Sequence, residues 1–301
     1  MKIELKNIIQ KLQPLAFKGD DNVVIGNLKQ LEEENTAESL YWCSDKNLEK
    51  LNLITCGTVI ISSNAYDQFT KINGGLKFNC IVVENPRRYF MQVVKEFFSS
   101  KQTFGWISKS STIDSSVKWN KESIYIGENV VIEKNVVIGE NVVIMHNSVI
   151  LEDTKIGSNC RIGSNCTIGG VGFGYEKDEN GNYEQILHIG NVVLSENVEI
   201  GNNVAIDRAV MGSTFLGRNV KVDNLVHIAH GVKIGENSLI IAHAMIAGSV
   251  NIGKNVWVAP STSIMQKINI GDDSLIGMGS NVLKDVENGS VVAGNPAKKI
   301  R

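Results

Sequence analysis

The fold is decided by residues 222–249, which read VDNLVHIAHGVKIGENSLIIAHAMIAGS. An aliphatic side chain occupies every sixth position of this stretch: Val222, Ile228, Ile234, Ile240 and Ile246. A period of six matches neither the roughly 3.6-residue period of an α-helix nor the two-residue period of a strand, and it is typical of a parallel β-helix. We therefore predict a coil with flat sides, into which each leading aliphatic side chain points.

The same repeat extends in both directions along the chain. Isoleucine stands at every sixth position from 126 to 168, and an aliphatic residue does so from 216 to 282. Three hexads would close one turn of roughly 18 residues, and successive turns would stack roughly 4.8 Å apart. Gly, Asn and Asp suit the corners between the flat sides. The β-helix is predicted to span residues 106–287 and to be followed by a C-terminal tail, 288–301.

The repeat is interrupted twice. After Gly169 the residues up to 187 are polar and rich in glycine, and the register is lost again between 211 and 215. Loops that leave a rigid solenoid commonly build its binding site. Phe173 and Tyr175, in the first loop, are therefore candidate ligand contacts.

The first 105 residues lack the repeat and predict a separate small α/β domain. Short apolar runs at 23–25, 58–61 and 80–83 are typical of strands, and residues 3–12 and 87–98 have helical spacing. Pro86 suits the first turn of the second helix. We expect this domain to bind a nucleotide or a sugar.

Composition narrows the classes of function. The formal charge is −2 and no long basic run occurs, which argues against a nucleic-acid surface. The five cysteines form no C-x-x-C pair, which favours reduced thiols in a cytoplasmic protein. No apolar run is long enough for a membrane span, and the N-terminal segment is unlike a signal peptide.

His230 is the third residue of its hexad, where most other repeats carry a short polar or charged residue. An imidazole titrates near neutral pH and can take a proton from an amine or a hydroxyl group, so His230 is predicted to be a general base. The alternative is an exposed corner histidine without a role. Asp223 or Glu236 could orient the far ring nitrogen. Gly248, one turn along, is predicted to offer its N–H to an oxyanion, or else is a simple corner glycine.

A metal site is a weaker hypothesis. His227, His230 and His243 are close in sequence and could bind zinc between subunits. Their spacing does not fit the hexapeptide-repeat carbonic anhydrases, for which we expect two histidines five residues apart. We predict no metal and no permanently bound cofactor. His146 and His188 are isolated and are expected to lie on the surface.

Five short motifs occur in a fixed order. They are GFGY at 172–175, IDR at 206–208, DN at 223–224, IAH at 228–230 and IAGS at 246–249. Together with the preceding α/β domain, this ordered set resembles the UDP-3-O-acylglucosamine N-acyltransferases of lipid A synthesis, the LpxD family. Hexads alone are weak evidence for one activity, whereas the ordered set is specific to this family.

The resemblance implies a left-handed β-helix, a homotrimer and active sites between neighbouring prisms. It also implies that His230 is the base and that the Gly248 N–H faces the oxyanion. Residues 41–47 partly match the uracil-binding segment of the family. Tyr41 stands where an aromatic residue is expected and Asn47 replaces a second one. We therefore expect Tyr41 to stack on the nucleotide base, with Ser44 and Asn47 beside it.

The C-terminus departs from the family. It reads GNPAKKIR at 294–301, which is similar to the ending of sugar acetyltransferases that use acetyl-CoA. In that case the turn at Gly294 would contact the pantetheine arm, and the cationic side chains would hold the CoA phosphates: Lys298, Lys299 and Arg301.

These features lead to two enzymatic hypotheses. The first is an N-acyltransferase that moves an acetyl or short acyl group from acyl-CoA to the amine of a nucleotide-linked amino sugar, for surface-glycan synthesis. The second is hydroxyacyl transfer from acyl carrier protein to UDP-3-O-acylglucosamine in lipid A synthesis. Two other classes predict different behaviour. A catalytically silent scaffold would bind a sugar nucleotide without turnover, and a zinc lyase would hold a metal.

Overall fold

The computed structural model describes residues 2–100 and 102–301. The chain divides into two compact units, of which one ends at Gln102 and the other begins at Thr103. No helix in these two described ranges is both long and apolar enough to cross a membrane.

The first unit is built on a five-stranded sheet. Its strands lie in the order β2 (Ala16–Lys18), β7 (Asn79–Val83), β6 (Thr58–Ser62), β5 (Ser39–Trp42) and β4 (Asn27–Leu28). Strand β2 runs antiparallel to β7, and the other neighbours are parallel. Two further strands, β1 (Ile3–Glu4) and β3 (Val24–Ile25), form an antiparallel pair. Strands are thus found in all three apolar runs for which the sequence predicted them.

Two helices of this unit begin after a side-chain cap, whereas the first begins at Leu5 and not at residue 3 as predicted, because Ile3–Glu4 forms strand β1. The helices are α1 (Leu5–Leu12), α2 (Ser63–Asn73) and α3 (Pro86–Val93), with a π-helical turn at Val94–Phe98 and 3₁₀ turns within Asp45–Leu53. The Ser62 hydroxyl accepts a hydrogen bond from the Ala65 N–H, and the Asn85 side chain accepts one from the Arg88 N–H. These caps satisfy backbone donors that have no partner inside the helix.

Both faces of the sheet are covered, so both sets of alternating side chains are buried. Leu40 and Ile60 pack on one face with helices α1 and α3, whereas Tyr41 and Val59 pack on the other face with α2. The alternation places Tyr41 in a closed core and turns Trp42 towards the opposite face.

The second unit is a parallel β-helix of three long sheets, whose strands are mostly two residues long. The first sheet contains β8 (Trp106–Ile107), β10 (Tyr125–Ile126), β13 (Val143–Ile144), β16 (Arg161–Ile162), β21 (Glu199–Ile200), β24 (Lys221–Val222), β27 (Leu239–Ile240), β30 (Trp257–Val258), β33 (Leu275–Ile276), β35 (Val291–Ala293) and β36 (Lys298–Lys299). The second contains β9 (Thr112–Ile113), β11 (Val131–Ile132), β14 (Val149–Ile150), β17 (Thr167–Gly170), β22 (Ala205–Asp207), β25 (His227–Ile228), β28 (Met245–Ile246), β31 (Ser263–Ile264) and β34 (Asn281–Val282). The third contains β12 (Val137–Ile138), β15 (Lys155–Ile156), β20 (Asn191–Leu194), β23 (Ser213–Leu216), β26 (Lys233–Ile234), β29 (Asn251–Ile252) and β32 (Asn269–Ile270). A short 3₁₀ turn, Lys121–Ser123, precedes β10.

The repeat fixes the register of the coils. Ile228 pairs with Ile246, and both side chains have no exposed surface. The residue three places after most leading aliphatic residues turns the corner with a positive φ, and it is most often asparagine, as at Asn129 and Asn147. Asparagine tolerates this left-handed conformation better than other residues with a side chain. Its amide also bridges coils, since Asn129 donates to Asn147 over 3.1 Å.

The two interruptions of the repeat are excursions from the coil. In the first, residues between β17 and β20 form an antiparallel hairpin of β18 (Tyr175–Lys177) and β19 (Tyr183–Gln185). The second lies between Asp207 and Ser213. The coils resume in register after each one, because Ile156 pairs with Leu194 and Leu194 with Leu216.

The predicted C-terminal tail is not a separate segment. Residues 291–293 add strand β35 to the first sheet beside β33, and residues 298–299 return antiparallel as β36. The chain therefore continues the prism almost to its end, because Val292 still supplies a buried aliphatic side chain.

Truncating one inward side chain should destabilise the coil. Ile234 is 1% exposed and lies between Leu216 and Ile252. We expect Ile234→Ala to lower the free energy of unfolding by about 2–4 kcal/mol, because it leaves a cavity in a packed core. Lys233→Ala, on the exposed side of the same strand, should change it by less than about 0.5 kcal/mol. Denaturant unfolding followed by circular dichroism measures both, and equal losses would contradict the stacking.

Candidate active site

His230 stands at the corner that follows strand β25. The Ala229 N–H donates to the Ile246 carbonyl over 2.9 Å, and the His230 carbonyl accepts from the Ser249 N–H over 2.9 Å. The backbone on both sides of His230 is thus tied to the next coil, while its imidazole is half-buried. A reactive group on such a support keeps its position better than one on a loop.

Gly248 lies one coil along, directly against the His230 ring. A Cβ at residue 248 would lie 2.6 Å from His230 Cε1 and 2.7 Å from Nε2, so no side chain fits there. The Gly248 N–H has no hydrogen-bond partner among the residues that the structure describes. At some equivalent corners a side chain of the next coil accepts this bond, as Asp272 does from the Lys254 N–H over 2.8 Å. An open donor beside a base is the arrangement that stabilises an oxyanion.

The first excursion covers this corner with glycine. A Cβ at Gly172 would lie 2.8 Å from His188 Nε2 and 2.9 Å from His230 Cβ. Phe173 is 86% exposed, and its ring lies 4.9 Å from that of Tyr175. The two predicted aromatic residues therefore sit on the segment that covers His230, and their contact with substrate stays a prediction.

The surroundings of His230 favour its neutral form, chiefly through burial. Burial and the neighbouring His188 lower the pKa of His230 below its ordinary value, against an opposing effect of Asp207. Asp207 itself accepts a hydrogen bond from His227 Nε2 over 3.1 Å, and this bond raises the pKa of His227. A neutral imidazole can accept a proton, which is what a general base requires.

The carboxylates proposed to orient His230 are engaged elsewhere. Asp223 accepts hydrogen bonds from the backbone N–H groups of Asn224 over 2.7 Å and Ala242 over 3.2 Å. Glu236 pairs with Lys254 and Arg218. The prediction that Asp223 holds the ring is therefore wrong: its carboxylate closes a corner between coils on another face of the prism.

Two residues of this site were not recognised in the sequence. His188 is buried rather than on the surface, with its ring 5.3 Å from that of His230 and an interplanar angle of 78°. Arg208 is buried too, donates from Nε to the Gly169 carbonyl over 2.7 Å and pairs with Glu152, so that it anchors the stem of the excursion. Arg208 could have been recognised from the motif IDR at 206–208. The position of His188 could not, because it depends on the path by which the chain returns from the hairpin to the coil.

The remaining histidines do not assemble into a metal centre. His146 Nδ1 accepts a hydrogen bond from the Glu128 N–H, and His243 turns a corner with φ of 61°. Across residues 2–100 and 102–301, no three His, Cys, Asp or Glu side chains are grouped so that they could hold a metal ion.

The first unit has a surface cavity of about 580 Å³ on the face opposite Tyr41. Ser44 and Asn47 line it, together with Trp42, Lys50 and Phe90. Tyr41 has no exposed surface and packs in the core, so the prediction that its ring stacks on a base is wrong. Trp42, one residue along the strand and therefore on the other face, presents the aromatic side chain instead.

The cationic C-terminus lies several coils beyond His230, at the end of the first sheet. Lys298 and Arg301 are exposed, and Lys299 pairs with Glu287 over 2.8 Å. The Gly294 N–H donates to the Ser280 hydroxyl over 3.2 Å, so this donor already has a partner. A role of these four residues in holding the acyl donor stays a prediction.

The fold, the repeat and the site define the class of the protein. Residues 135–170 and 213–248 match the family model described as bacterial transferase hexapeptide (six repeats). The chain resembles the solved UDP-N-acetylglucosamine O-acyltransferase of Moraxella catarrhalis (TM-score 0.57, 27% identity, 64% of this chain and 73% of that chain). It also resembles the Francisella novicida UDP-N-acetylglucosamine acyltransferase (TM-score 0.59, 27% identity, 64% and 69%). It is a left-handed β-helix acyltransferase of the hexapeptide-repeat class.

Sequence relatives define the family within that class. The chain is 41% identical over 252 residues to the UDP-3-O-acylglucosamine N-acyltransferase of Campylobacter lari, covering 79% of this chain and 76% of the relative. It is 53% identical over 130 residues to the enzyme of that name from Desulfotalea psychrophila, covering 43% and 38%. The chain belongs to the family of UDP-3-O-acylglucosamine N-acyltransferases, as the ordered motifs predicted.

The pH profile should report the titration of His230. We expect kcat/KM for acyl transfer to rise with pH through a midpoint below 6.5, because the neutral ring acts and its pKa is lowered. In Asp207→Asn the opposing negative charge is lost, so the midpoint should move to lower pH still. Rates of thiol release between pH 5 and 8 measure both profiles. A midpoint above 6.5 in the wild type would contradict the assignment.

Proposed function

We propose that this acyltransferase moves a hydroxyacyl group from acyl carrier protein to the amine of UDP-3-O-acylglucosamine, as a cytoplasmic step of lipid A synthesis. The main support is the 41% identity to a relative of that name across most of both chains. The relatives favour this hypothesis over transfer of an acetyl group from acetyl-CoA for surface glycans. An acyl donor enters as a co-substrate in either case.

The chemistry follows from the His230 and Gly248 pair. The amine nitrogen attacks the thioester carbonyl, a carbon–nitrogen bond forms, and His230 takes the proton that the nitrogen loses. The carbonyl oxygen becomes negative and receives a hydrogen bond from the open Gly248 N–H. When the carbon–sulfur bond breaks, His230 returns the proton to the thiolate. The amide and the free thiol are the products.

The cavity of the first unit is suited to a nucleotide base. Trp42 and Phe90 provide aromatic surfaces, and an aromatic face is a platform for any base. Ser44 and Asn47 add hydrogen-bonding groups at the same cavity, where Lys50 is paired with Glu32 over 2.6 Å. We assign the uracil of the substrate to this cavity.

Exposed apolar side chains on the coils after His230 favour self-assembly. Met245, Trp257 and Met265 are each more than 40% exposed. A second copy of a regular prism is a suitable cover for such side chains. We propose a homotrimer in which active sites lie between neighbouring prisms, with the carrier protein docking near the cationic side chains of Lys298 and Arg301.

The assignment of the base cavity predicts a specific loss of affinity. Trp42→Ala should raise the Kd for UDP about 5-fold to 100-fold, because stacking on a base contributes about 1–3 kcal/mol. Tyr41→Phe is the matched control: it removes a buried hydroxyl that has no partner in the structure, and should leave the Kd unchanged. Calorimetric titration measures both. An unchanged Kd in Trp42→Ala would place the base elsewhere.

Thiol release tests the reaction itself. Wild-type protein should release thiol from hydroxyacyl carrier protein when UDP-3-O-acylglucosamine is present, and much more slowly from acetyl-CoA. His230→Ala should lose a factor of about 10²–10⁴ in rate with substrate affinity retained, because the amine then has no base. Turnover with acetyl-CoA alone would support the short-chain hypothesis, and a His230→Ala rate within threefold of the wild type would remove His230 from the mechanism.

A further inference from the structure

His188 carries a buried hydrogen-bond acceptor without a partner. Its side chain is 7% exposed, and Nδ1 lies 2.7 Å from the Ile186 carbonyl oxygen. A carbonyl can only accept, so Nδ1 bears the hydrogen and the lone pair of the neutral ring lies on Nε2. No donor in the described part of the chain reaches that atom. Buried polar groups are nearly always paired, so an exception beside an active site suggests a ligand group as the missing partner.

The free Nε2 lies beside the catalytic base. The point at which Gly172 would carry a Cβ is 2.8 Å from His188 Nε2 and 3.1 Å from His230 Cδ2. Because residue 172 is a glycine, no side chain occupies that point. That point is one covalent bond from the Gly172 Cα, so a substrate group reaches both imidazoles only when residue 172 moves aside.

We propose that His188 Nε2 accepts a hydrogen bond from the attacking amino group of the acyl acceptor and thereby selects an amine over a hydroxyl group. This inference rests on the proposed N-acyl transfer. The amino group gives one hydrogen to His230 and still has another N–H for His188. A hydroxyl group has one hydrogen, so once it faces His230 it leaves His188 unpaired.

The chemical step is unchanged by this contact. The nitrogen bonds to the carbonyl carbon, the carbon–sulfur bond breaks, and the proton passes through His230 to the thiolate. His188 accepts a hydrogen bond throughout and neither gains nor loses a proton. A site with a buried polar group rejects an analogue that leaves the group unpaired, which is the basis of the selectivity.

Residues 171–173, which cover His188 Nε2, are held loosely enough for a substrate to reach that atom. The backbone N–H groups of residues 171–174 have no hydrogen-bond partner within the described ranges. Val171 is 57% exposed and Phe173 is 86% exposed. The opposite arm holds the segment through the Ile186 N–H, which donates to the Gly174 carbonyl over 2.9 Å. A substrate can therefore displace residues 171–173 without breaking a hydrogen bond of their N–H groups.

The experiment compares two acceptors in two variants. The acceptors are UDP-3-O-acylglucosamine and the same molecule with a hydroxyl group in place of the amine, and the donor is hydroxyacyl carrier protein. His188→Phe keeps a ring but loses the acceptor, and should lower kcat/KM for the amine about 10-fold to 100-fold while changing that for the hydroxyl analogue by less than about threefold. His188→Gln places a carbonyl oxygen near the position of Nε2, and should restore the amine rate to within about fivefold of the wild type.

Several outcomes would overturn the proposal. Equal losses on both acceptors would make His188 a structural residue, and unchanged kcat/KM for both acceptors in His188→Phe would remove it from acceptor binding. If the wild type turns over no amine acceptor, the proposed function fails. The role of His188 is then tested by measuring how tightly each acceptor binds in the absence of the acyl donor. His188→Phe must raise the Kd of the amine more than that of its hydroxyl analogue, and an equal change would overturn it.

Discussion

The structure depends on a corner that each coil makes three residues after its buried aliphatic side chain. The backbone there has a positive φ, as at Asn129 and Ser249, and most L-residues adopt that conformation at a cost. Asparagine and glycine lower the cost, and bonds between stacked side chains such as Asn219 and Asn237 tie one corner to the next. Because these corners turn alike, residues one coil apart are superimposed, and this brings Gly248 under the ring of His230.

The candidate site combines an open backbone donor with an excursion from the coil. At some corners the N–H two residues after the leading aliphatic donates to a side chain of the next coil, as Glu140 donates to Ser158. At Gly248 that donor is open, and glycine also leaves room for the imidazole above it. The first excursion leaves the coil between β17 and β20 and brings His188 and Phe173 to the site. A rigid repeat can support these local losses of hydrogen bonding because neighbouring coils supply the stability.

Contacts that follow from the six-residue repeat could be predicted from the sequence. Contacts that depend on the packing of the first unit or on the path of the excursion could not. The spacing from His230 to Gly248 follows from one turn of the coil, so their proximity was predictable. The aromatic side chain at the cavity belongs to Trp42 and not to Tyr41, its neighbour in the strand. Adjacent strand residues point to opposite faces of the sheet, so Tyr41 is buried in the core while Trp42 lines the cavity. Asp223 is near in sequence but on another face of the prism. His188 reaches the site only through the path of the excursion, which has no periodicity to read.

The role of Asp207 decides what kind of base His230 is. A carboxylate bonded directly to an imidazole favours its charged form, and Asp207 has that effect on His227, where the bond is made. His230 has no such bond in the described structure, and burial beside His188 favours its neutral form. A base left unpaired in this way is weaker, but its lowered pKa favours the neutral ring, which can accept a proton. The site thus pairs Asp207 with His227 and leaves His230, the proposed base, without a carboxylate partner.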